Sequence, residues 1–332
     1  MNFPFYFGDG KRKPSNTPAT LPVSRRAKFT NPENYLADPG LRDACNVALL
    51  LSQPLLLTGE PGTGKTLFSY SLAWELGFDE PLKFETKSTS TARDLFYNYD
   101  FLKQFQDAQN RISERNPLDY LTYNALGQAI LLTKEPSEIE NFVPPDFIHP
   151  GKRRSIVLID EVDKASRDFP NDILNELEYL YFRVRELGNI KIEANFKLQP
   201  IVVITSNSEK DLPDAFLRRC VYYNIPFPQK ERLENIVTNR LGLYSADSSD
   251  FIQDALDIFF QLRKSGLRKK PTTSELLGWM IVLQEISGGA ENPLVESELA
   301  LQTLSNLIKT AEDQDKAKDI IKQWVNSREK EA

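Results

Sequence analysis

The chain has little histidine and little cysteine: one His (His149) and two Cys (Cys45 and Cys220) in 332 residues. A single imidazole cannot build a histidine-based zinc site and leaves a Ser-His-Asp arrangement little to work with. The two cysteines are far apart and belong to no C-x-x-C pair, so they read as reduced core residues rather than a disulfide or a metal clip. Long apolar runs are also missing. Nothing approaches the roughly 20 residues of a membrane helix, and the N-terminus carries no signal-peptide core. Nor is positive charge in excess: 41 Lys and Arg stand against 47 Asp and Glu, a net charge of −6. No global basic field therefore recommends nucleic acid or an anionic membrane. These absences leave an acidic, soluble, cytoplasmic chain without membrane insertion. It is long enough for one large or two ordinary domains, with 40% hydrophobic residues to fill a core.

What is present is a phosphate-binding pattern. Gly59-Glu60-Pro61-Gly62-Thr63-Gly64-Lys65-Thr66 follows the apolar run Pro54-Leu55-Leu56-Leu57-Thr58 and precedes the helical-looking segment Leu67 to Leu76. Strand, glycine-rich loop and helix form the context in which G-x-x-x-x-G-K-[ST] binds nucleotide phosphates. The glycines allow successive N–H groups to line one concavity, and the helix adds its positive end. In this reading Lys65 reaches the β- and γ-phosphates of ATP and the Thr66 hydroxyl ligates Mg2+. No N-K-x-D motif appears, which argues against guanine recognition.

A second apolar run, Ser155 to Ile159, ends in Asp160-Glu161. Its near-continuous hydrophobicity predicts a strand covered on both faces of a parallel sheet. Beside a phosphate loop, Asp160 is placed to hold magnesium and Glu161 to orient and polarise the attacking water. Another buried run, Ile201 to Thr205, delivers Asn207 to the same carboxyl edge, where open parallel sheets bind ligands. A neutral amide there positions the water or contacts the γ-phosphate. Arg218 and Arg219, in the short helical piece 211–220, are candidate arginine fingers for a neighbour's nucleotide.

The remaining chain sorts around these motifs. Residues 1–30, rich in Pro, aromatic and basic residues, read as a loosely ordered N-terminal arm, with docking across a neighbouring subunit as its functional alternative. Apolar spacing over Leu41 to Leu51 predicts a helix, and Leu82 to Thr86 a strand. A helical, aromatic-rich stretch is predicted from about Leu95 to Leu132, broken at Asn116-Pro117, inside an insertion of about 87–152. A helix is predicted over Asn171 to Phe182 and a β-hairpin at about 182–195, turning at Gly188-Asn189. After Phe227-Pro228 no convincing strand remains; helices are predicted at about 230–241, 250–264, 273–287, 295–311 and 313–327. The expected fold class is α/β: a P-loop NTPase domain over 31–228, then an all-α lid domain over 229–332.

The sequence resembles an AAA+ ATPase, and more narrowly the MoxR-like group, through GEPGTGKT at 59–66, IVLIDEVD at 156–163, VVITSN at 202–207 and DAFLRR at 214–219. The resemblance implies a five-stranded parallel sheet in the order 5-1-4-3-2, a helical lid, and a homo-oligomeric ring, usually a hexamer. It gives Asn207 the sensor-1 place, makes Arg219 the finger ahead of Arg218, and sets Asn34 and Tyr35 near the adenine. It also implies a chaperone-like role with a von Willebrand factor A-domain partner protein. The chain departs from the family at sensor 2: no arginine lies within the helix start after Pro271, so Arg268, Lys269 or Lys270 substitutes or the role is absent. Two alternatives stand beside ATP hydrolysis. One is an ATP-gated assembly scaffold with very slow turnover. The other, disfavoured by charge, is a nucleic-acid-dependent motor contacting its strand through Lys11-Arg12-Lys13 and the segment 263–270.

Overall fold

Three apolar runs form the middle of a parallel sheet. β1 (Leu55–Thr58) and β5 (Ile156–Asp160) are buried at every position, and β8 (Ile201–Thr205) at all but its first. Each fully buried Leu, Ile or Val contributes about 1.5–3 kcal/mol. β2 (Leu82–Glu85) and β9 (Val221–Asn224) are half-exposed and form the edges. The order is β2-β5-β8-β1-β9, with every pair parallel. Numbering only these five strands along the chain gives 5-1-4-3-2, the order the resemblance implies.

The computed structural model describes residues 31–110, 116–208, 212–244, 249–287, 290–295 and 297–328. The expected N-terminal arm and its Lys11-Arg12-Lys13 cluster lie outside them. The chain forms two compact units, residues 37–227 and residues 31–36 together with the chain from Pro228 onward. Residues 31–36 therefore do not begin the α/β unit, as the sequence suggests. Arg232 and Arg240, on the helix Lys230–Leu241, hold them by donating to the carbonyls of Leu36 and Asn31, each at 2.8 Å. Among the described residues no helix is long and apolar enough to cross a membrane.

The region expected as a decorating insertion is partly core. Parallel β2 and β5 need a crossover between them. The helix Ala125–Leu131 supplies it, packing on both strands with all but one of its residues buried. Nor is the stretch before it helical throughout. β3 (Tyr97–Tyr99) pairs antiparallel with β4 (Leu121–Tyr123), because Tyr97, Tyr99, Leu121 and Tyr123 alternate inward while Asn98 and Thr122 face out. The exposed helix Phe101–Gln109 lies between them. The expected hairpin forms as β6 (Tyr181–Val184) and β7 (Ile190–Glu193). Its Phe182 packs into the aromatic group of this small sheet, 5.3 Å from Phe96 and 5.9 Å from Tyr123 between ring centroids. The helix predicted before it is two short pieces, Phe169–Asp172 and Leu174–Tyr179, ending at Leu180 in the left-handed region (φ 48°).

One glycine makes the crossover helix possible. A Cβ at Gly127 would stand 2.0 Å from the Phe96 carbonyl oxygen. Gly127→Ala is expected to cost roughly 3 kcal/mol by forcing these backbones apart. A lower urea midpoint at unchanged slope is the measurement; an unchanged midpoint would contradict the close approach.

The second unit is helical. Beyond Lys230–Leu241 it contains Ser249–Lys264, Thr273–Ile286, Ser297–Gln302 and Ala311–Arg328, and no strand among its described residues. The helix expected over 295–311 is broken after Gln302. The buried Thr303 hydroxyl turns back to the Leu299 carbonyl and accepts the Trp279 indole N–H at 2.8 Å, and a 3-10 turn follows at Leu304–Asn306.

Candidate functional site

The phosphate loop joins the carboxyl end of β1 to the helix Lys65–Leu76. Gly59 has φ 138°, and a Cβ there would meet the Ile225 carbonyl oxygen at 2.6 Å, so only glycine fits. Gly62 and Gly64 also take positive φ, at 79° and 90°. The helix begins at Lys65 with no side chain capping its first amides, which leaves them for an anion. Lys65 is buried, and its Nζ donates to the carbonyls of Gly59 at 2.8 Å and Glu60 at 3.0 Å, drawn across the loop. Burial pulls the pKa of this ammonium below its ordinary value, against the opposing pull of Asp163, Glu161 and Asp160. The phosphates of a nucleotide would add further counter-charge beside it. Thr63 closes the turn through its hydroxyl to the Glu60 carbonyl, and Pro61 lies on the exposed side.

The two acids arrive from β5. Asp160 is its buried last residue, and its Oδ1 accepts from the Thr66 hydroxyl at 2.8 Å. A hydroxyl and a carboxylate already in contact are the hard oxygen donors that suit Mg2+ bound mainly by a nucleotide's phosphates. Glu161 follows with φ 57° and ψ 53°. A non-glycine residue in the left-handed region costs on the order of 1–3 kcal/mol and persists only where the surrounding structure holds it. This turn separates the two carboxylates. Asp160 faces Thr66, whereas Glu161 pairs with Lys164 and lies 3.5 Å from the Asn207 amide nitrogen, long for a hydrogen bond. The Asn207 backbone N–H donates to Asp163 at 3.1 Å, which ties the β8 loop to the turn after β5. Lys65, Thr66, Asp160, Glu161 and Asn207 thus share the carboxyl edge of one sheet.

The other predicted residues have the following surroundings. Arg219 is bonded through Nε to Glu178 at 2.8 Å and through Nη1 to the Ala215 carbonyl at 3.2 Å; Arg218 beside it is exposed. Asn34 and Tyr35 belong to the helical unit, where Tyr35 closes the 3-10 turn Pro32–Asn34 through its N–H to the Pro32 carbonyl at 3.1 Å. In the same unit the backbones of Arg268 and Lys269 donate to buried Asp313, at 3.1 and 3.2 Å, and the Arg268 side chain pairs with Glu312.

Sequence reasoning passed over Thr205. It ends β8, is fully buried, donates to Asp160 Oδ1 at 2.7 Å and accepts from the Glu161 N–H at 2.8 Å. One hydroxyl thus orients both acids. A polar residue closing an apolar run was the available signal. Thr205→Val removes the acceptor of the Glu161 N–H and one of the two hydroxyl donors to Asp160 Oδ1, costing about 1–3 kcal/mol. ATP turnover is expected to fall roughly 10–100-fold, with Thr205→Ser restoring most of it. Equal turnover in Thr205→Val and the native chain would contradict this positioning role.

Together the parallel sheet, the glycine-rich loop and the acid-terminated strand beside it define a P-loop NTPase. The profile of the AAA domain (dynein-related subfamily) matches residues 54–220, just over half of the chain. The chain belongs to that AAA family. No curated protein matches it. Among solved structures it is similar to two variants of RuvB from Thermotoga maritima. The first is 13% identical with a TM-score of 0.46, over 83% of this chain and 72% of that one. The second is 13% identical with a TM-score of 0.40, over 80% and 66%.

Proposed function

We propose that the chain hydrolyses ATP to ADP and phosphate with magnesium, as a MoxR-like homo-oligomeric ring that remodels or activates a protein partner. The observation that carries the reading is the convergence of Lys65, Thr66, Asp160, Glu161 and Asn207 on one sheet edge. The loop amides of Gly59 to Thr66 and the Lys65 ammonium bind the phosphates. Thr66 and Asp160 hold the metal, which when bound neutralises charge on the phosphate oxygens. Glu161 accepts a proton from the water it orients, and the Asn207 amide holds that water in line. Arg219, with Arg218 second, completes the site of an adjacent subunit. A protein partner is favoured by Phe101, Leu102 and Phe105, which are 52%, 67% and 60% exposed on one short helix. A von Willebrand factor A-domain protein is the proposed partner class.

The test is phosphate release from ATP by the full chain, with magnesium and then with excess chelator. Magnesium-dependent release supports the reading; failure to bind ATP at all would overturn it. A second reading, the ATP-gated scaffold with slow turnover, is favoured by the Lys164–Glu161 pair, which holds the proposed base. Assembly that requires ATP without matching turnover would select it.

A further inference from the structure

Asp160 uses both carboxylate oxygens. Oδ1 accepts from Thr66 and Thr205, whereas Oδ2 is held by a cation from another strand, the Lys83 ammonium at 3.1 Å. Lys83 lies on edge strand β2 and also donates to Glu85 Oε1 at 2.7 Å. Residues two apart on a strand share a face, and the β2–β5 register sets Glu85 directly beside Asp160. One ammonium therefore bridges two carboxylates, one at the nucleotide site and one outside it. The Glu85 side chain is 70% exposed and that of Asp160 9%, so the outer partner is in water and the inner one is not. Burial works against the charged amine, but the bonds to Glu85 and Asp160 outweigh it and keep Lys83 above its ordinary pKa.

Two cations cannot share Asp160 without cost. A divalent ion held by Asp160 and Thr66 would face a full positive charge across the same carboxylate. We propose that Lys83 is a resident counter-ion of Asp160 that competes with magnesium, and that Glu85 is the alternative partner that draws it aside, so that the pair sets the magnesium concentration at which the site loads. This rests on Asp160 being the magnesium-holding acid. Lys83 contacts neither the nucleotide nor the attacking water in this account; it acts through Asp160. Removing its charge favours the metal, whereas removing the charge of Glu85 leaves the ammonium to Asp160 alone and disfavours it. The two substitutions therefore act in opposite directions, which a general loss of packing would not produce.

The test follows binding of a fluorescent ATP analogue to the full chain as magnesium is raised from chelator-buffered zero. In Lys83→Met the half-saturating magnesium concentration is expected to fall roughly three- to tenfold, the size of a partly screened contact with a divalent ion. In Glu85→Gln it is expected to rise by a similar factor, and in Lys83→Arg to stay near native. If Lys83→Met loses its melting transition, Lys83→Gln, which keeps the stem and a hydrogen-bonding head, carries the comparison. Superposed curves for all variants, or shifts of Lys83→Met and Glu85→Gln in one direction, would overturn the counter-ion role. Analogue binding by the native chain that ignores magnesium would instead overturn the reading of Asp160.

Discussion

Glu161→Gln is expected to retain ATP while losing turnover by about 10²–10⁴-fold, the usual size of a general-base contribution. The amide keeps the shape of the side chain and its distance to Asn207 but cannot take the proton of the attacking water. The backbone at Glu161 stays in its left-handed turn in the variant, so the strain there is unchanged. The lost ion pair with Lys164 joins side chains that are 39% and 54% exposed, and such pairs contribute little to stability. The melting temperature should therefore stay near native, which separates a chemical defect from a folding defect. Fluorescent-nucleotide binding and phosphate release on the same sample are the measurements. Native turnover in Glu161→Gln would remove this residue from the chemistry.

Arg219→Ala has the other large expected effect, a loss of about 10³–10⁵-fold where Arg219 acts as a finger on a neighbour's nucleotide. Within one subunit Arg219 is held by Glu178, and both side chains are about two-fifths exposed. An exposed pair is worth roughly 0–1 kcal/mol, so a nucleotide phosphate of an adjacent subunit can draw the guanidinium away at small cost. Glu178→Gln should accordingly leave turnover at or above native, while Arg219→Ala abolishes it. Collapse of turnover in both variants would make the pair a structural brace and move the finger to Arg218.

The motifs of the candidate site are legible in the sequence because each is contiguous in the chain. Gly59 to Thr66, Asp160-Glu161 and Asn207 all sit at the ends of apolar runs, and parallel strands bring such ends to one edge without further information. What joins residues from different strands was not readable. Lys83 is an ordinary edge-strand lysine until the β2–β5 register sets it against Asp160. Thr205 is an ordinary strand end until the turn at Glu161 brings an N–H to its hydroxyl. The aromatic stretch after β2 reads as helical from its sequence for another reason. Its strand signal, inward Tyr97 and Tyr99, spans only three residues, and its pairing partner comes after the whole helix Phe101–Gln109. Residues 31–36 likewise take their place from arginines 196 and 209 positions away rather than from their own neighbours.

The most direct test of the ATPase account is phosphate release per subunit across protein concentration, for the native chain, Glu161→Gln and Arg219→Ala. The account predicts native turnover that rises with concentration as subunits complete one another's sites, and two variants that stay near zero throughout. Native turnover that is absent at every concentration, or a Glu161→Gln curve that follows the native one, would contradict it.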